Sequence, residues 1–302
     1  MGIVEKIVKL KRERNAIILA HNYQLPEVQD IADFVGDSLG LSIQAAGTDA
    51  QVIVFCGVHF MAETAKILSP RKTVLIPDIH AGCPMADMIN ADQLREMKAE
   101  HPNATVLCYV NTTAEVKAQC DLCCTSANAV SIVKDVMKEN KEVIFVPDKY
   151  LADYVSTETG CDFIVWKGYC PTHAKILPEH ILSQKELHPG AVVLAHPECT
   201  PGVRMLADKV ISTEGMCWYA NEMKDKEFIV ATEVGILHRM RRDNPDKSFY
   251  PASDMAICPN MKLTTLEKVL WALDGMNNEI TLPRETIAKA KKCIQRMLLY
   301  RV

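Results

Sequence analysis

Three cysteines, each followed by proline, are spaced almost evenly along the chain: Cys83-Pro84, Cys170-Pro171 and Cys258-Pro259. The intervals from 83 to 170 and from 170 to 258 are 87 and 88 residues. Such a period indicates one structural unit that is used three times. If the units pack around a common axis, three thiols meet at one point. Three thiolates can hold a metal ion or an iron–sulfur cluster with one coordination position left open.

Polar side chains repeat in the same register, 88 and then 87 residues apart. They form three sets of equivalent positions: His21, Tyr109 and His196; Tyr23, Asn111 and Glu198; Ser38, Ser126 and Thr213. The first two sets end short apolar runs, and residues two apart on an extended segment point to the same side. Because hydrogen-bonding groups are costly in a dry core, we expect these side chains to face a polar ligand.

The third set is predicted to open helices. Ser and Thr are preferred N-cap residues, and capping alone accounts for Ser38, Ser126 and Thr213. Three converging helix N-termini would also bind phosphate or carboxylate groups. The sequence therefore predicts a pocket with thiols, acid–base groups and an anion-binding edge, suited to a small anionic substrate.

Apolar strands that alternate with helices carry these side chains. In the first unit, strands are predicted over 16–20, 52–55 and 74–76, and a helix on Val28, Ile31, Ala32 and Val35. Wholly apolar strands of this kind indicate a parallel sheet covered on both faces. We predict an α/β protein of three repeated three-layer αβα domains around a pseudo-threefold axis. The domains are residues 1–86 with 275–302 (Cys83), 87–173 (Cys170) and 174–274 (Cys258).

Composition limits the partners. The net charge of the 302 residues is −4 and no Lys/Arg block is long, which argues against nucleic acid and anionic membranes. The sequence has no run of 18 apolar residues and no apolar stretch of the signal-peptide type at its start. Twelve cysteines without a secretion signal point to reduced thiols or metal binding instead of disulfides, so we expect a cytoplasmic protein.

The other nine cysteines include a Cys-x-x-Cys motif, Cys120 to Cys123, with Cys124 beside it. Alone, the motif is typical of a redox pair or half a zinc site. The repeat aligns Cys120 and Cys123 with core positions of the predicted helix, so we expect them to pack as small hydrophobic residues. For the three Cys-Pro cysteines, a buried contact of thiols without a metal is the simpler alternative.

Six motifs belong together across roughly residues 3–300. They are His21-Asn22-Tyr23-Gln24, Gly36-Asp37-Ser38, Tyr109-Val110-Asn111, Thr125-Ser126-Ala127-Asn128, Cys170-Pro171-Thr172-His173 and His196-Pro197-Glu198-Cys199. Together they resemble the NadA-type quinolinate synthases, in the compact form of that family. The family fold that this resemblance implies, three α/β domains in a pseudo-threefold arrangement, agrees with the repeat.

The resemblance implies an enzyme of de novo NAD biosynthesis. It would condense iminoaspartate (iminosuccinate) with dihydroxyacetone phosphate to quinolinate, releasing phosphate and water. It would use a [4Fe–4S] cluster held by Cys83, Cys170 and Cys258, with one iron open to substrate. An aspartate oxidase or aspartate dehydrogenase would supply the iminoaspartate. The implied substrate contacts are His21, Ser38, Tyr109, Asn111, Ser126, His196, Glu198 and Thr213, with Tyr23 close by.

Proton transfer is needed at several steps of such a reaction. We expect it from four acid–base groups: Tyr23, Tyr109, His196 and Glu198. Two other functions stay open. Three cysteines and a water also suit a zinc-dependent aldolase or hydrolase. A non-enzymatic iron–sulfur carrier or sensor is the second alternative, although electron carriers usually have all four irons ligated by protein.

Overall fold

The protein is described by a computed structural model over residues 2–138 and 142–300. Its strands are β1 (Ala16–His21), β2 (Phe34–Gly36), β3 (Val52–Cys56), β4 (Thr73–Leu75), β5 (Thr105–Tyr109), β6 (Leu122–Cys124), β7 (Val143–Val146), β8 (Ile164–Val165), β9 (Val192–Ala195), β10 (Lys209–Val210), β11 (Glu227–Ala231) and β12 (Ser248–Pro251).

Helices connect and cover these strands. They are α1 (Ile3–Glu13), α2 (Pro26–Ile31), α3 (Ser38–Gly47), α4 (His59–Leu68), α5 (Ala91–Glu100), α6 (Ala114–Lys117), α7 (Ala129–Val136), α8 (Lys149–Thr159), α9 (Pro171–Ala174), α10 (Pro178–Leu187), α11 (Pro201–Arg204), α12 (Thr213–Glu222), α13 (Ile236–Asp243), α14 (Leu266–Gly275) and α15 (Arg284–Met297). No helix within 2–138 and 142–300 combines the length and apolar character needed to cross a bilayer.

The strands form three four-stranded sheets with one repeated order. The orders are β2-β1-β3-β4, β6-β5-β7-β8 and β10-β9-β11-β12, and every strand pair within them is parallel. The predicted fold class, α/β with three repeated αβα units, is confirmed. The positions of the domain boundaries stay a prediction.

Both faces of the first sheet are buried because its strands are apolar except at two strand ends, His21 of β1 and Thr73 of β4. Ile18 packs in one cluster with Ile7 of α1 and Leu273 of α14. The next residue, Leu19, belongs to the cluster on the opposite face, which includes Leu41 of α3. Neighbouring strand residues point to opposite faces, so a strand without polar positions requires a helical layer on each side.

The predicted helix over 28–35 is wrong in its second half. Helix α2 ends at Ile31, and the residues from Phe34 form the edge strand β2. The apolar spacing combined positions from two elements and so imitated a single helical face. At the junction, the Asp33 carboxylate accepts the backbone N–H of Ile18 at 2.8 Å. Equivalent bonds recur in the other two sheets: Asp121 with Val106 at 2.9 Å, and Asp208 with Val193 at 2.8 Å.

The last two helices return to the start of the chain. Helix α14 packs against α1 and β3, and thus closes the outer face of the first sheet. Helix α15 packs against α4 of the first unit and against α6 and β6 of the second. The C-terminal segment therefore joins two units.

Candidate active site

All twelve residues singled out by the repeat line one cavity between the three sheets. They are His21, Tyr23, Ser38, Cys83, Tyr109, Asn111, Ser126, Cys170, His196, Glu198, Thr213 and Cys258. His21 and Tyr109 are the last residues of β1 and β5, and His196 follows β9 directly. Parallel strands bring such residues to one edge of each sheet, at their carboxyl ends, where ligands of α/β proteins usually bind.

The three Cys-Pro cysteines share a local structure. Each precedes a helical turn: Cys170 is the N-cap of α9, and 3₁₀ turns begin at Ala86 and Met261 after the other two. Backbone N–H groups two or three residues ahead point back at the sulfur atoms of Cys83 and Cys258, and that of His173 points at Cys170. Donors and helix N-termini of this kind stabilise thiolates.

Burial has the opposite effect on these thiols. It raises the pKa of Cys83 to about 12, and it also raises the pKa of Cys170 and Cys258. Charge repulsion between the thiolates acts in the same direction. Cys258 raises the pKa of Cys83, and Cys83 raises the pKa of Cys170. Three thiols that oppose one another's ionisation in one cavity fit a shared metal centre, because a bound cation removes both the repulsion and the protons.

Glu198 is the only predicted acid–base group that carries a charge at neutral pH in the cavity. Its carboxylate is buried, accepts the Tyr109 hydroxyl at 2.5 Å and lies 2.7 Å from His173 Nδ1. Burial alone would raise its pKa, but His173, His196 and the Tyr109 hydroxyl outweigh burial and lower the pKa to about 2.

The two predicted cavity histidines, His21 and His196, have matching environments. The backbone N–H of Tyr23 donates to Nδ1 of His21 at 3.2 Å, and that of Glu198 donates to Nδ1 of His196 at 3.3 Å. Burial lowers the pKa of both rings to about 3. Each neutral ring therefore carries its proton on Nε2 and is a hydrogen-bond donor through that atom. His196 Nε2 lies 3.1 Å from Ser126 Oγ.

The tyrosine hydroxyls are protonated donors. Burial raises the pKa of Tyr23 and of Tyr109 well above the usual value, and the nearby Glu198 carboxylate raises both further. The Tyr109 hydroxyl donates its hydrogen bond to Glu198. The hydroxyl of Tyr23 instead meets Thr232 Oγ1 at 2.5 Å.

Two polar residues at the centre of the site were not among the predicted site residues. His173 Nε2 lies 2.8 Å from Thr232 Oγ1, and its ring stacks on His196 with centroids 4.7 Å apart. Nδ1 of His173 is 3.2 Å from Cys170 Sγ. His173 belongs to the motif Cys170-Pro171-Thr172-His173, three residues after the thiol, and this spacing on one helical turn was the available signal. Thr232 has no counterpart in the repeat register used for the other residues.

The capping prediction for the third set is wrong in detail. Asp37 caps α3 by accepting the Gly40 N–H at 2.8 Å, and Ser212 caps α12 by accepting that of Gly215 at 3.2 Å. Ser38 and Thr213 are thus the first helical residues, and Ser126 lies before α7. Since their side chains are not used as caps, the hydroxyls stay available to a ligand. Thr213 Oγ1 accepts from the Asn22 amide at 3.1 Å.

A second group of thiols lies outside the cavity. Cys108, Cys123 and Cys293 are buried, with their sulfur atoms all within 4.8 Å of one another, so these three cysteines could hold a metal ion. The prediction that Cys120 and Cys123 occupy a helix is wrong, because Cys123 is in β6 and Cys120 precedes that strand. Cys123 is buried as predicted.

Comparison with known proteins gives one consistent family. The family description "Quinolinate synthetase A protein" matches residues 5–299. A quinolinate synthase of Dehalococcoides mccartyi strain BAV1 is 56% identical over 98% of this chain and 97% of its own length. A quinolinate synthase of Methanosarcina barkeri is 53% identical over 99% of this chain and 98% of its own length. A quinolinate synthase of Thermodesulfovibrio yellowstonii is 56% identical over 98% and 97%.

Proposed function

The chain belongs to the quinolinate synthetase A family, and on that premise we propose that it is a quinolinate synthase of de novo NAD biosynthesis. The reaction joins iminoaspartate and dihydroxyacetone phosphate to quinolinate, with release of phosphate and water. The observation that carries the proposal is one cavity in which three thiols, three histidines, two tyrosines and the Glu198 carboxylate meet. A small, multiply anionic substrate pair needs this combination of donors and proton carriers.

We assign the cofactor to the cavity thiols. Cys83, Cys170 and Cys258 would hold a [4Fe–4S] cluster, and no other cysteine lines this cavity among the described residues. When bound, the cluster supplies a Lewis acid through its fourth iron, which can polarise a carbonyl or a leaving hydroxyl. A donor set of three thiolates fits this use better than electron transfer, for which four protein ligands are usual.

Substrate binding is assigned to the hydroxyl and amide side chains at the cavity edge. Ser38 and Thr213 are the first residues of α3 and α12, and both line the cavity. Their hydroxyls therefore lie at the same helix ends as the backbone N–H groups of the first turn. Such helix N-termini bind phosphate and carboxylate groups. Neutral His21 and His196 add Nε2–H donors without adding charge. Asn111 completes the set, since its amide oxygen is buried without a partner among the described residues.

Proton movement is assigned to two connected routes. Tyr23, Thr232 and His173 form a chain in which a proton leaving the Tyr23 hydroxyl passes through Thr232 Oγ1 to His173 Nε2. The Glu198 carboxylate stabilises the resulting imidazolium at Nδ1. On the other side of Glu198, Tyr109 holds a proton that it can donate to the substrate. The acid–base groups thus share one buried anion, and this keeps their protons at defined atoms.

The partners follow from this assignment. They are the two small substrates, and an aspartate oxidase or aspartate dehydrogenase is the class of enzyme that must supply iminoaspartate. We place the protein in the cytoplasm, because its cysteines are unpaired thiols and a reducing compartment preserves them.

The decisive experiment is an anaerobic assay. Quinolinate is measured after mixing purified protein with freshly generated iminoaspartate and dihydroxyacetone phosphate. Cys83→Ala, Cys170→Ala and Cys258→Ala should each lose the iron and the product together. Cys56→Ala, a buried cysteine of β3 outside the cavity, is the matched control and should keep both. If one of the three cavity variants keeps full activity without iron, the cluster assignment is refuted. If the parent enzyme itself is colourless, iron-free and active, the zinc-dependent alternative is favoured.

A further inference from the structure

Four thiols from distant parts of the sequence meet in the second unit, away from the active-site cavity. We call them the second thiol cluster: Cys108, Cys123 and Cys293, whose sulfur atoms lie within 4.8 Å of one another, and Cys120 beside them. Cys108 and Cys123 are register partners on the neighbouring strands β5 and β6. Cys293 comes from α15, which packs on β6. None of the four lines the active-site cavity.

The sulfur–sulfur distances are short. Cys108 Sγ lies 3.3 Å from Cys123 Sγ, and Cys123 Sγ lies 3.1 Å from Cys293 Sγ. The Cys120 thiol lies beside this group of three and donates to Val116 O at 3.0 Å. A tetrahedral zinc site with Zn–S bonds of about 2.3 Å has sulfur atoms about 3.8 Å apart. A disulfide needs about 2.05 Å and joins only two sulfurs. One small ion bound by Cys108, Cys123 and Cys293 needs movements of about half an ångström. To supply the fourth sulfur, the Cys120 side chain has to turn away from Val116 O, to which its thiol donates at 3.0 Å.

The charge around the cluster also favours an anionic metal–thiolate centre. Lys117 is fully buried in the same core, and its backbone oxygen accepts the Cys293 thiol at 3.3 Å. Its ammonium group donates to Thr112 O and faces the Phe60 ring at 5.2 Å. Lys117 lies close enough to act electrostatically on Cys108, so its positive charge can offset thiolate charge in the cluster.

Burial differs among the four cysteines of the second thiol cluster. Three of the four cysteines are fully buried, and only Cys120 is half-buried. A cation can therefore reach the cluster from the Cys120 side and become enclosed by the others.

We propose that Cys108, Cys120, Cys123 and Cys293 form a second, structural metal site for a tetrahedral thiolate-bound Zn²⁺ ion. The ion links the central strand β5 and the edge strand β6 of the second sheet to the C-terminal helix α15. Because α15 also packs on α4 of the first unit, this site fixes the contact between the first two units. The proposal does not depend on the catalytic assignment, since the two sets of cysteines are separate.

Metal analysis of the full-length protein tests the proposal. Protein prepared anaerobically from zinc-supplemented medium should contain about one zinc per chain in addition to cavity iron. Cys293→Ser and Cys123→Ser should lose the zinc and keep the iron. Cys83→Ala should lose the iron and keep the zinc. Cys217→Ala, a buried cysteine of α12 outside both groups, should keep both metals.

A second measurement covers the case in which the serine variants do not fold. Co²⁺ added to zinc-free Cys83→Ala protein should give the intense visible bands of a tetrahedral thiolate site at about one equivalent, and Zn²⁺ should abolish them. Absence of these bands, or zinc that disappears with Cys83→Ala, overturns the proposal. Intact-mass measurement after alkylation under denaturing conditions must find the four thiols free once zinc is removed. A native disulfide among them also overturns it.

Discussion

Tyr109→Phe removes one hydroxyl from the centre of the cavity and changes little else. The hydroxyl donates to Glu198 at 2.5 Å, and both side chains are at most 4% exposed. The aromatic ring, which ends β5, keeps its packing in the variant. Two cavity groups change: the Glu198 carboxylate loses one of its donors, and the substrate loses one proton source.

The size of the effect follows from the charge of the acceptor. A hydrogen bond to a buried charged group contributes about 1.5–3 kcal/mol. Each 1.4 kcal/mol corresponds to about a tenfold change in rate. If the bond acts in the transition state, kcat should fall by about tenfold to a hundredfold, or further if Tyr109 itself donates the proton. The iron content should stay that of the parent, because no thiol ligand is touched.

A pH profile separates this role from a general loss of structure. Although burial opposes it, the Glu198 pKa is held at about 2 by His173, His196 and Tyr109. Loss of a donor to the carboxylate disfavours its charged form, so the pKa rises. The acid limb of kcat against pH should therefore move to higher pH in Tyr109→Phe.

The matched control is Tyr250→Phe, whose hydroxyl donates to the Glu227 carboxylate at 3.1 Å outside the cavity. Both variants lose a tyrosine–glutamate bond, but only one loses it at the site. The reasoning fails if Tyr109→Phe keeps the parent kcat and acid limb with iron bound, or if Tyr250→Phe reproduces its effect.

Three further predictions concern single polar groups. Thr232→Val breaks the path from Tyr23 to His173, so kcat should fall by about tenfold with little change in KM and unchanged iron; an unaltered kcat in the anaerobic assay would remove Thr232 from the proton route. Burial raises the pKa of Asp37 from 3.8 to about 6, so the native state holds this proton more tightly than the unfolded chain. The contribution of protonated Asp37 to the free energy of unfolding is fully present below pH 3.8. It is lost as the pH rises to about 6, which lowers the free energy of unfolding by about 3 kcal/mol. Asn is an equally good N-cap, so Asp37→Asn should flatten that decline in urea midpoints from pH 4 to 7, and an equally steep decline would contradict the assignment. Thr264 is fully buried and its hydroxyl has no partner among the described residues, so Thr264→Val should leave the free energy of unfolding unchanged or raise it by about 1 kcal/mol; urea unfolding that shows a clear loss speaks against this.

Much of the fold was readable from the period of the sequence. Repeated apolar runs predicted three parallel sheets, because a strand without polar positions must be covered on both faces. One of the two edge strands of each sheet was missed, namely β2, β6 and β10. Short strands such as Phe34–Gly36 carry only two or three residues, and their apolar positions continued the spacing of the preceding helix. The junction aspartates, Asp33, Asp121 and Asp208, repeat in the sequence, but their backbone bonds to β1, β5 and β9 show only in three dimensions.

For the candidate site too, the sequence determined one part and the tertiary structure another. The sequence by itself determined which twelve residues face the cavity, since three equivalent copies must present equivalent positions to a common centre. It did not determine the partners of those residues. Thr232 meets Tyr23 across 209 residues of chain, and Cys293 meets Cys123 across 170, so neither contact leaves a local pattern. Only the tertiary structure decided which of the other nine cysteines meet beneath α15, because thiols of identical chemistry are distinguished solely by the surfaces that enclose them.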